Sequence, residues 1–74
     1  MSERNCYLFF AGYYMVLAAS QALCRHNIEN RVVKAPAHMR QSCSFALLID
    51  GRDEKRSLGI FAAKKINVLN RVYR

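Results

Sequence analysis

The chain has 74 residues, of which 53% are hydrophobic and 23% are charged, a composition typical of a folded globular protein. This length predicts a single domain over residues 1–74 and excludes dinucleotide-binding, kinase and barrel folds. Twelve Lys and Arg residues against five Asp and Glu residues give a net charge of +7. Such a surface attracts phosphates, nucleic acid, anionic membranes or an acidic protein partner.

An uncharged stretch from Cys6 to Cys24 is long enough to be considered as a membrane span. Gly12 divides this stretch into two parts with different periodicities, and Ser20, Gln21 and three tyrosines reduce its tendency to enter a bilayer. We therefore interpret it as a soluble strand followed by a helix and expect no membrane contact.

The first half of the chain predicts a strand, a helix and a second strand. Residues 5–10 are rich in aromatic and apolar side chains, which favours a buried strand. Residues 13–26 predict a helix that ends at His26, with Asn27 as a left-handed stop. The apolar stripe of this helix consists of Met15, Ala18, Ala19, Ala22 and Leu23. Residues 28–35 predict the second strand through Val32 and Val33. Because Pro36 cannot donate to a ladder, this strand ends there or lies at an edge.

Residues 36–43 have no clear pattern and are interpreted as a loop. The apolar run of residues 44–49 predicts a central strand that is covered on both faces. Asp50 and Gly51 then predict a turn.

A second helix follows the turn, with Asp53 as its cap and Glu54 in its first turn. Its predicted apolar stripe consists of Leu58, Phe61, Ala62 and Ile66. Residues 68–73 predict a last strand at a sheet edge, with Arg71 in solvent. The element order indicates an α+β, ferredoxin-like βαββαβ fold, in which a four-stranded antiparallel sheet carries two helices on one face.

The three cysteines have an odd count and irregular spacing, which argues against a disulfide framework. Their spacing from the histidines does not match a zinc site, so we expect neither a metal nor another cofactor. Free thiols favour the reducing cytoplasm. Cys6 alternates with the apolar residues of the first strand, and Cys24 lies near the end of the first helix. Both are interpreted as inert structural cysteines.

Cys43 is the candidate reactive thiol. It lies between Ser42 and Ser44, and Arg40 and His38 are close in sequence. Because a nearby cation lowers the pKa of a thiol, this setting favours the thiolate, and hydroxyls and loop amides can hydrogen-bond it. The alternatives are a loop cysteine and a loop histidine without chemical function.

Tyr7, Phe9, Tyr13 and Tyr14 resemble the stacking aromatics of single-stranded RNA binders. The glycine-containing signature of RNA-recognition motifs is absent from the sequence. Packing in the core or at an interface is therefore the favoured role of these four aromatics.

The sequence resembles the selenium/sulfur carrier protein-like family. Members show a strand ending in Phe, a helix of the form A-L-x-A-E-x-x-L, a strand ending in P-x-P-R and the motif S-S-S-C-G-x-A-L. The stretch from Phe10 to Leu47, about half the chain, aligns with this pattern without gaps. It retains Leu17, Ala19, Leu23, Ile28, Pro36, Ser42, Cys43, Ala46 and Leu47.

Six positions depart from the family pattern. They are Gly12-Tyr13 in place of the Ser-Thr turn, Ser20 for Glu, Asn27 for Gly, Ala37 for Arg and Ser44 for Gly. Arg40 is a candidate replacement for the missing Arg. The resemblance implies that the thiolate of Cys43 accepts sulfur or selenium as a persulfide or selenopersulfide and passes it to a partner enzyme.

Three functions remain open from the sequence. The first is a sulfur or selenium carrier, whose partner would be an acidic donor or acceptor enzyme; this function favours a carrier or accessory protein over an enzyme. The second is a non-catalytic module that binds another protein or itself, and the high apolar fraction is compatible with a homodimer. The third is a basic RNA-binding module, whose affinity would fall steeply with salt.

Overall fold

The computed structural model describes residues 4–35 and 44–73. Its strands and helices follow the predicted order. In chain order they are β1 (Asn5–Phe9), α1 (Tyr13–Arg25), β2 (Asn30–Lys34), β3 (Phe45–Asp50), a 3-10 turn (Gly51–Asp53), α2 (Glu54–Ala63) and β4 (Asn70–Tyr73).

The four strands form one antiparallel sheet in the order β2-β3-β1-β4. This order confirms the α+β, ferredoxin-like fold, with β3 central and β4 at an edge as predicted. Lys34 pairs with Phe45 at one end of the sheet, which we call the Phe45 end. Asn5 pairs with Asp50 at the other end, which we call the Asp50 end. Helix α1 begins at the Phe45 end, and α2 begins at the Asp50 end.

The main core lies between the sheet and the two helices. Cys6, Leu8 and Phe10 alternate along the first segment and are fully buried, which confirms that Cys6 faces the core. The rings of Phe10 and Phe61 meet edge to face at 5.7 Å. Such aromatic contacts add to the hydrophobic stabilisation of the sheet against α2.

Helix α1 buries Val16, Ala19, Ala22 and Leu23. The predicted stripe is confirmed at its last three positions but omitted Val16. Its other two members, Met15 and Ala18, are only partly buried, because they line an open cleft between α1 and the end of α2.

Both helices end in the same way. The amide of Ile28 donates to the carbonyl of Leu23 at 3.0 Å, and Asn27 between them has φ 58°, which confirms the predicted left-handed stop. At the end of α2 the amide of Ile66 donates to the carbonyl of Phe61 at 2.8 Å, and Lys65 has φ 60°. Ile66 therefore lies beyond α2 and not in its stripe.

The start of α2 differs from the prediction. Asp53 is the residue before the helix, but its side chain makes no capping hydrogen bond. Instead the carboxylate of Asp50 accepts from the amide of Arg52 at 3.0 Å, one turn earlier. Ser57 is fully buried, and its hydroxyl donates to the carbonyl of Asp53 at 2.8 Å. Ala62, which was predicted to lie in the apolar stripe of α2, is exposed.

The sheet also has a small core on the face opposite the helices. Phe9, Ala35 and Ala46 are buried there, with Tyr7 and Val72 beside them. The neighbouring β3 residue Leu47 is buried toward the helices. Strand β3 is therefore covered on both faces, as its continuous apolar run predicts.

Candidate functional site

Ser44 is the candidate site residue that the structure describes. It is exposed and immediately precedes β3. Its carbonyl accepts a hydrogen bond of 2.8 Å from the amide of Ala35, which follows β2. This bond extends the pairing of the two strands by one step and fixes Ser44 at the Phe45 end of the sheet. The other candidate residues, Cys43, Ser42, Arg40 and His38, lie outside the described residues, as does the predicted loop 36–43.

The first turn of α1 also lies at the Phe45 end. The ring of Tyr13 packs against the ring of Phe45, with 4.9 Å between their centroids. Gly12 precedes the helix, has no side chain that could cap it, and accepts hydrogen bonds from the amides of Met15 and Val16. The first turn carries no acidic residue. The positive end of the helix dipole is therefore not offset by a carboxylate of that turn.

The described acids are unevenly distributed between the two ends of the sheet. They are Glu29, Asp50, Asp53 and Glu54, and each of them lies at the Asp50 end. At the Phe45 end the exposed Lys34 pairs with Phe45, whereas Lys64 and Lys65 line a cleft with Arg25 in the last turn of α1. An anionic group at the Phe45 end thus meets Lys34 and, among the described residues, no carboxylate.

Cys6 is an unreactive thiol by its environment. It is fully buried, and burial together with the nearby Glu54 carboxylate raises its pKa to about 11. At neutral pH it is therefore protonated, which agrees with the structural role predicted for it.

Cys24, interpreted from the sequence as an inert structural cysteine, is exposed on α1. The side-chain amide of Asn30 donates to its sulfur at 3.5 Å, and the hydroxyl of Ser20 donates to the same Asn30 at 2.6 Å. Cys24 follows Leu23 directly, outside the apolar stripe, so helical periodicity itself contained the signal that it faces outward.

A polar cluster that the sequence did not reveal lies at the Asp50 end. The Glu54 carboxylate accepts hydrogen bonds from the guanidinium of Arg71 at 2.6 Å and from the hydroxyl of Tyr73 at 2.5 Å. Arg71 is exposed, which confirms its predicted position in solvent, and its side chain is in addition paired with Glu54. Through this cluster the start of α2 is tied to β4, at the opposite end of the sheet from Ser44.

The four aromatics considered for RNA stacking do not share a surface. Tyr7 and Phe9 belong to the helix-free face of the sheet, whereas Tyr13 and Tyr14 lie on α1. Phe9 is fully buried and offers no ring face to a base. The packing role that the sequence favoured is confirmed for Phe9.

Two further properties concern only residues 4–35 and 44–73. Within these ranges no helix is both long and apolar enough to cross a membrane. The same residues contain no group of three or more His, Cys, Asp or Glu side chains that could hold a metal ion.

The sheet order and the two helices define a ferredoxin-like α+β protein. Residues 5–73 match the model of the family described as "Putative Se/S carrier protein-like". The chain belongs to this family, and the match extends the resemblance from residues 10–47 to both helices and all four strands. Comparisons with curated proteins and with solved structures found no match.

Proposed function

We propose that this protein carries sulfur or selenium on the thiol of Cys43 and delivers it to a partner enzyme. The observation that carries the proposal is the family match over residues 5–73, which includes the Ser-Cys-x-x-Ala-Leu segment from Ser42 to Leu47. A carrier of this kind needs one activated thiol on a small rigid domain, and it needs no cofactor of its own.

The transfer is a thiol–persulfide exchange. The Cys43 thiolate attacks the outer sulfur of a persulfide on the donor's cysteine, and a new S–S bond forms as the donor's S–S bond breaks. The electron pair of the broken bond stays on the donor's cysteine as a thiolate. The transferred sulfur keeps its proton and its oxidation state, so no external oxidant or reductant is consumed. Selenium would transfer by the same exchange as a selenopersulfide.

The environment of Ser44 supports the carrier role proposed for Cys43, its neighbour in the sequence. Ser44 is exposed at the Phe45 end, where α1 begins without an acidic residue in its first turn. Lys34 and the helix dipole at this end both favour an anion. Because thiolate character governs thiol reactivity, a cysteine at this end would react faster than the buried Cys6.

The same charge distribution favours an acidic partner. A donor or acceptor enzyme with carboxylates around its active site would be attracted to this basic protein, with Lys34 at the Phe45 end, and association would slow as salt is added. We place this exchange in the reducing cytoplasm, where a free thiol persists.

Intact-mass measurement tests the proposal. The protein is incubated with inorganic polysulfide, and separately with a cysteine desulfurase and cysteine, and the bound sulfur is then located by peptide mapping. We expect wild type to gain one sulfur atom on Cys43, removable by a reductant, and Cys43→Ser to gain none at that position.

Cys24→Ser is the matched control, because Cys24 is an exposed thiol and could acquire sulfur nonspecifically. This variant should load at Cys43 as wild type does. Loading that persists in Cys43→Ser, or that occurs only at Cys24, would contradict the carrier function and favour a non-catalytic interaction module on the same fold.

A further inference from the structure

Helix α1 has an unusual charge pattern for a surface helix. From Tyr13 to Cys24 it carries no charged residue, and its first charge is Arg25 in the last turn. One side of the helix is buried against the sheet through Val16, Ala19 and Leu23. A helix on a protein surface normally places charged residues on the opposite side, and a helix without them is usually covered on both sides.

The uncovered side of α1 consists of apolar and neutral residues, which we call the α1 outer face. Its members are Tyr13, Tyr14, Leu17, Gln21 and Cys24. The exposed fractions of Tyr13, Tyr14 and Leu17 are 48%, 81% and 40%. Large exposed aromatic and aliphatic side chains that lie together mark interaction surfaces, and tyrosine is frequent among the residues that anchor them.

The border of this face is basic. A shallow cleft of about 330 Å³ separates α1 from the end of α2, and Arg25, Lys64 and Lys65 line it together with the part-buried Met15 and Ala18. This border of the face thus contributes three cations and no carboxylate, whereas Glu29 adjoins Asn30, which bonds Cys24 of the face.

This charge pattern distinguishes between two possible occupants. In a homodimer formed through the α1 outer face, two copies of Arg25, Lys64 and Lys65 would border a single interface, which concentrates positive charge there. A protein with an apolar patch and a carboxylate border would meet the same surface with complementary charge. The observations therefore favour an acidic partner over a second copy.

We propose that the α1 outer face is the docking surface for the sulfur-donating protein. This inference rests on the proposed carrier function and adds to it the place where the donor binds. Tyr13 connects the face to the Phe45 end, because its ring packs against Phe45, which begins β3. A donor seated on α1 is thereby adjacent to the end of the sheet at which Ser44 lies. Tyr14, the most exposed of the large side chains, is the main anchor.

The exposed thiol of Cys24 provides a direct probe of docking, since it lies within the face. Alkylation of Cys24 by a maleimide is followed by peptide mass spectrometry, with and without a cysteine desulfurase as the donor. We expect the desulfurase to slow alkylation of Cys24 in a concentration-dependent manner, and added salt to reduce this protection.

Tyr14→Ala and Leu17→Glu test the face directly. Each should weaken protection and should slow desulfurase-dependent sulfur loading of Cys43 by about tenfold or more, the usual effect of removing an anchor residue. Loading from inorganic polysulfide should not change, because that reaction needs no docked protein. Ala62→Glu is the matched control, since it adds a carboxylate at an exposed position on α2 and should leave protection intact.

The outcomes separate the docking proposal from the carrier function. If polysulfide loads Cys43 but the desulfurase never protects Cys24, or if Ala62→Glu acts as strongly as Leu17→Glu, the docking proposal is overturned and the carrier function stands. If Cys24 is protected and Cys43 never accepts sulfur, the docking surface stands without the carrier function. A dimer in sedimentation that Leu17→Glu dissociates would identify a second copy as the occupant and overturn the proposal.

Discussion

The ring of Tyr13 lies 4.9 Å from the ring of Phe45 and joins the first residue of α1 to the first residue of β3. Removing this contact should loosen the Phe45 end, because aromatic pairs contribute beyond the area they bury. We expect Tyr13→Ala to lower the free energy of unfolding by about 1 kcal/mol. Urea denaturation followed by circular dichroism measures this change. Tyr13→Phe keeps the ring and should match wild type, and equal midpoints for all three proteins would show that the contact contributes nothing.

The polar cluster of Glu54, Arg71 and Tyr73 predicts a change in the titration of Tyr73. Hydrogen bonding of the Tyr73 hydroxyl to the Glu54 carboxylate raises the pKa of Tyr73 above its ordinary value of 10.0. Glu54→Gln should therefore lower that pKa, which the ultraviolet absorbance of tyrosinate reports, with Tyr73→Phe identifying the signal. Because the folded-state pKa is raised, the stabilisation from this bond is complete below pH 10 and is lost as the pH rises through the folded-state pKa. An unchanged titration curve in Glu54→Gln would be inconsistent with the hydrogen bond between Tyr73 and Glu54.

The buried thiol of Cys6 predicts both slow labelling and a loss of stability in alkali. Its pKa is about 11 in the folded protein, compared with 9.0 for an unperturbed thiol. Between these values the unfolded chain has lost the proton and the folded chain has kept it, so stability falls as the pH rises from about 9 to about 11. We expect iodoacetamide at pH 8 to modify Cys6 only after denaturant is added.

Cys6→Ala is the comparison for this prediction. It should flatten the decline of the urea midpoint across the alkaline window, although it also removes buried volume and lowers stability at all pH values. Labelling of Cys6 in the folded protein at the rate of Cys24 would contradict its burial.

Two glycines should respond in opposite ways to the same substitution. Gly51 donates its amide to the carbonyl of Arg4 at 2.7 Å, and a Cβ on Gly51 would lie 2.8 Å from that same carbonyl oxygen. Gly51→Ala should therefore destabilise the protein by about 1–3 kcal/mol, since the backbone must shift. Gly59 lies inside α2 with open space around its Cα, so Gly59→Ala should stabilise by about 1 kcal/mol.

Thermal and urea unfolding of the two variants together check this pair of predictions. The close approach at Gly51 requires a glycine because of the neighbouring backbone and not because of an unusual φ. Stabilisation by Gly51→Ala, or destabilisation by Gly59→Ala, would show that the start or the middle of α2 differs from the geometry described.

Periodicity and turn chemistry predicted the parts of the fold that depend on local sequence. The left-handed Asn27, the buried Cys6 and the central apolar β3 were all anticipated, because each depends on neighbours within a few positions. The left-handed conformation of Lys65 could not be predicted in this way. This residue adopts φ 60° because Ile66 turns back to bond Phe61, and a lysine has no intrinsic preference for that conformation.

Long-range polar contacts were beyond sequence reasoning for a physical reason. Glu54 is 17 and 19 residues from its partners Arg71 and Tyr73, and only the sheet order brings α2 beside β4. Ser57 was missed for a different reason: its polar side chain is buried, and its hydroxyl bonds locally to the carbonyl of Asp53, four residues earlier. Of the candidate site, Ser44 is located at the Phe45 end, and the assignment of Cys43 as the reactive thiol stays a prediction from the sequence.

The two outer strands of the sheet affect how the protein behaves at high concentration. β2 carries Arg31 and Lys34, and β4 carries Arg71. An open strand edge is a template for pairing with another chain, and positively charged side chains on that edge oppose it. If two copies paired edge to edge, the cations of these strands would be brought close together. The charged edges therefore oppose fibril formation at the positions where uncharged edges would favour it.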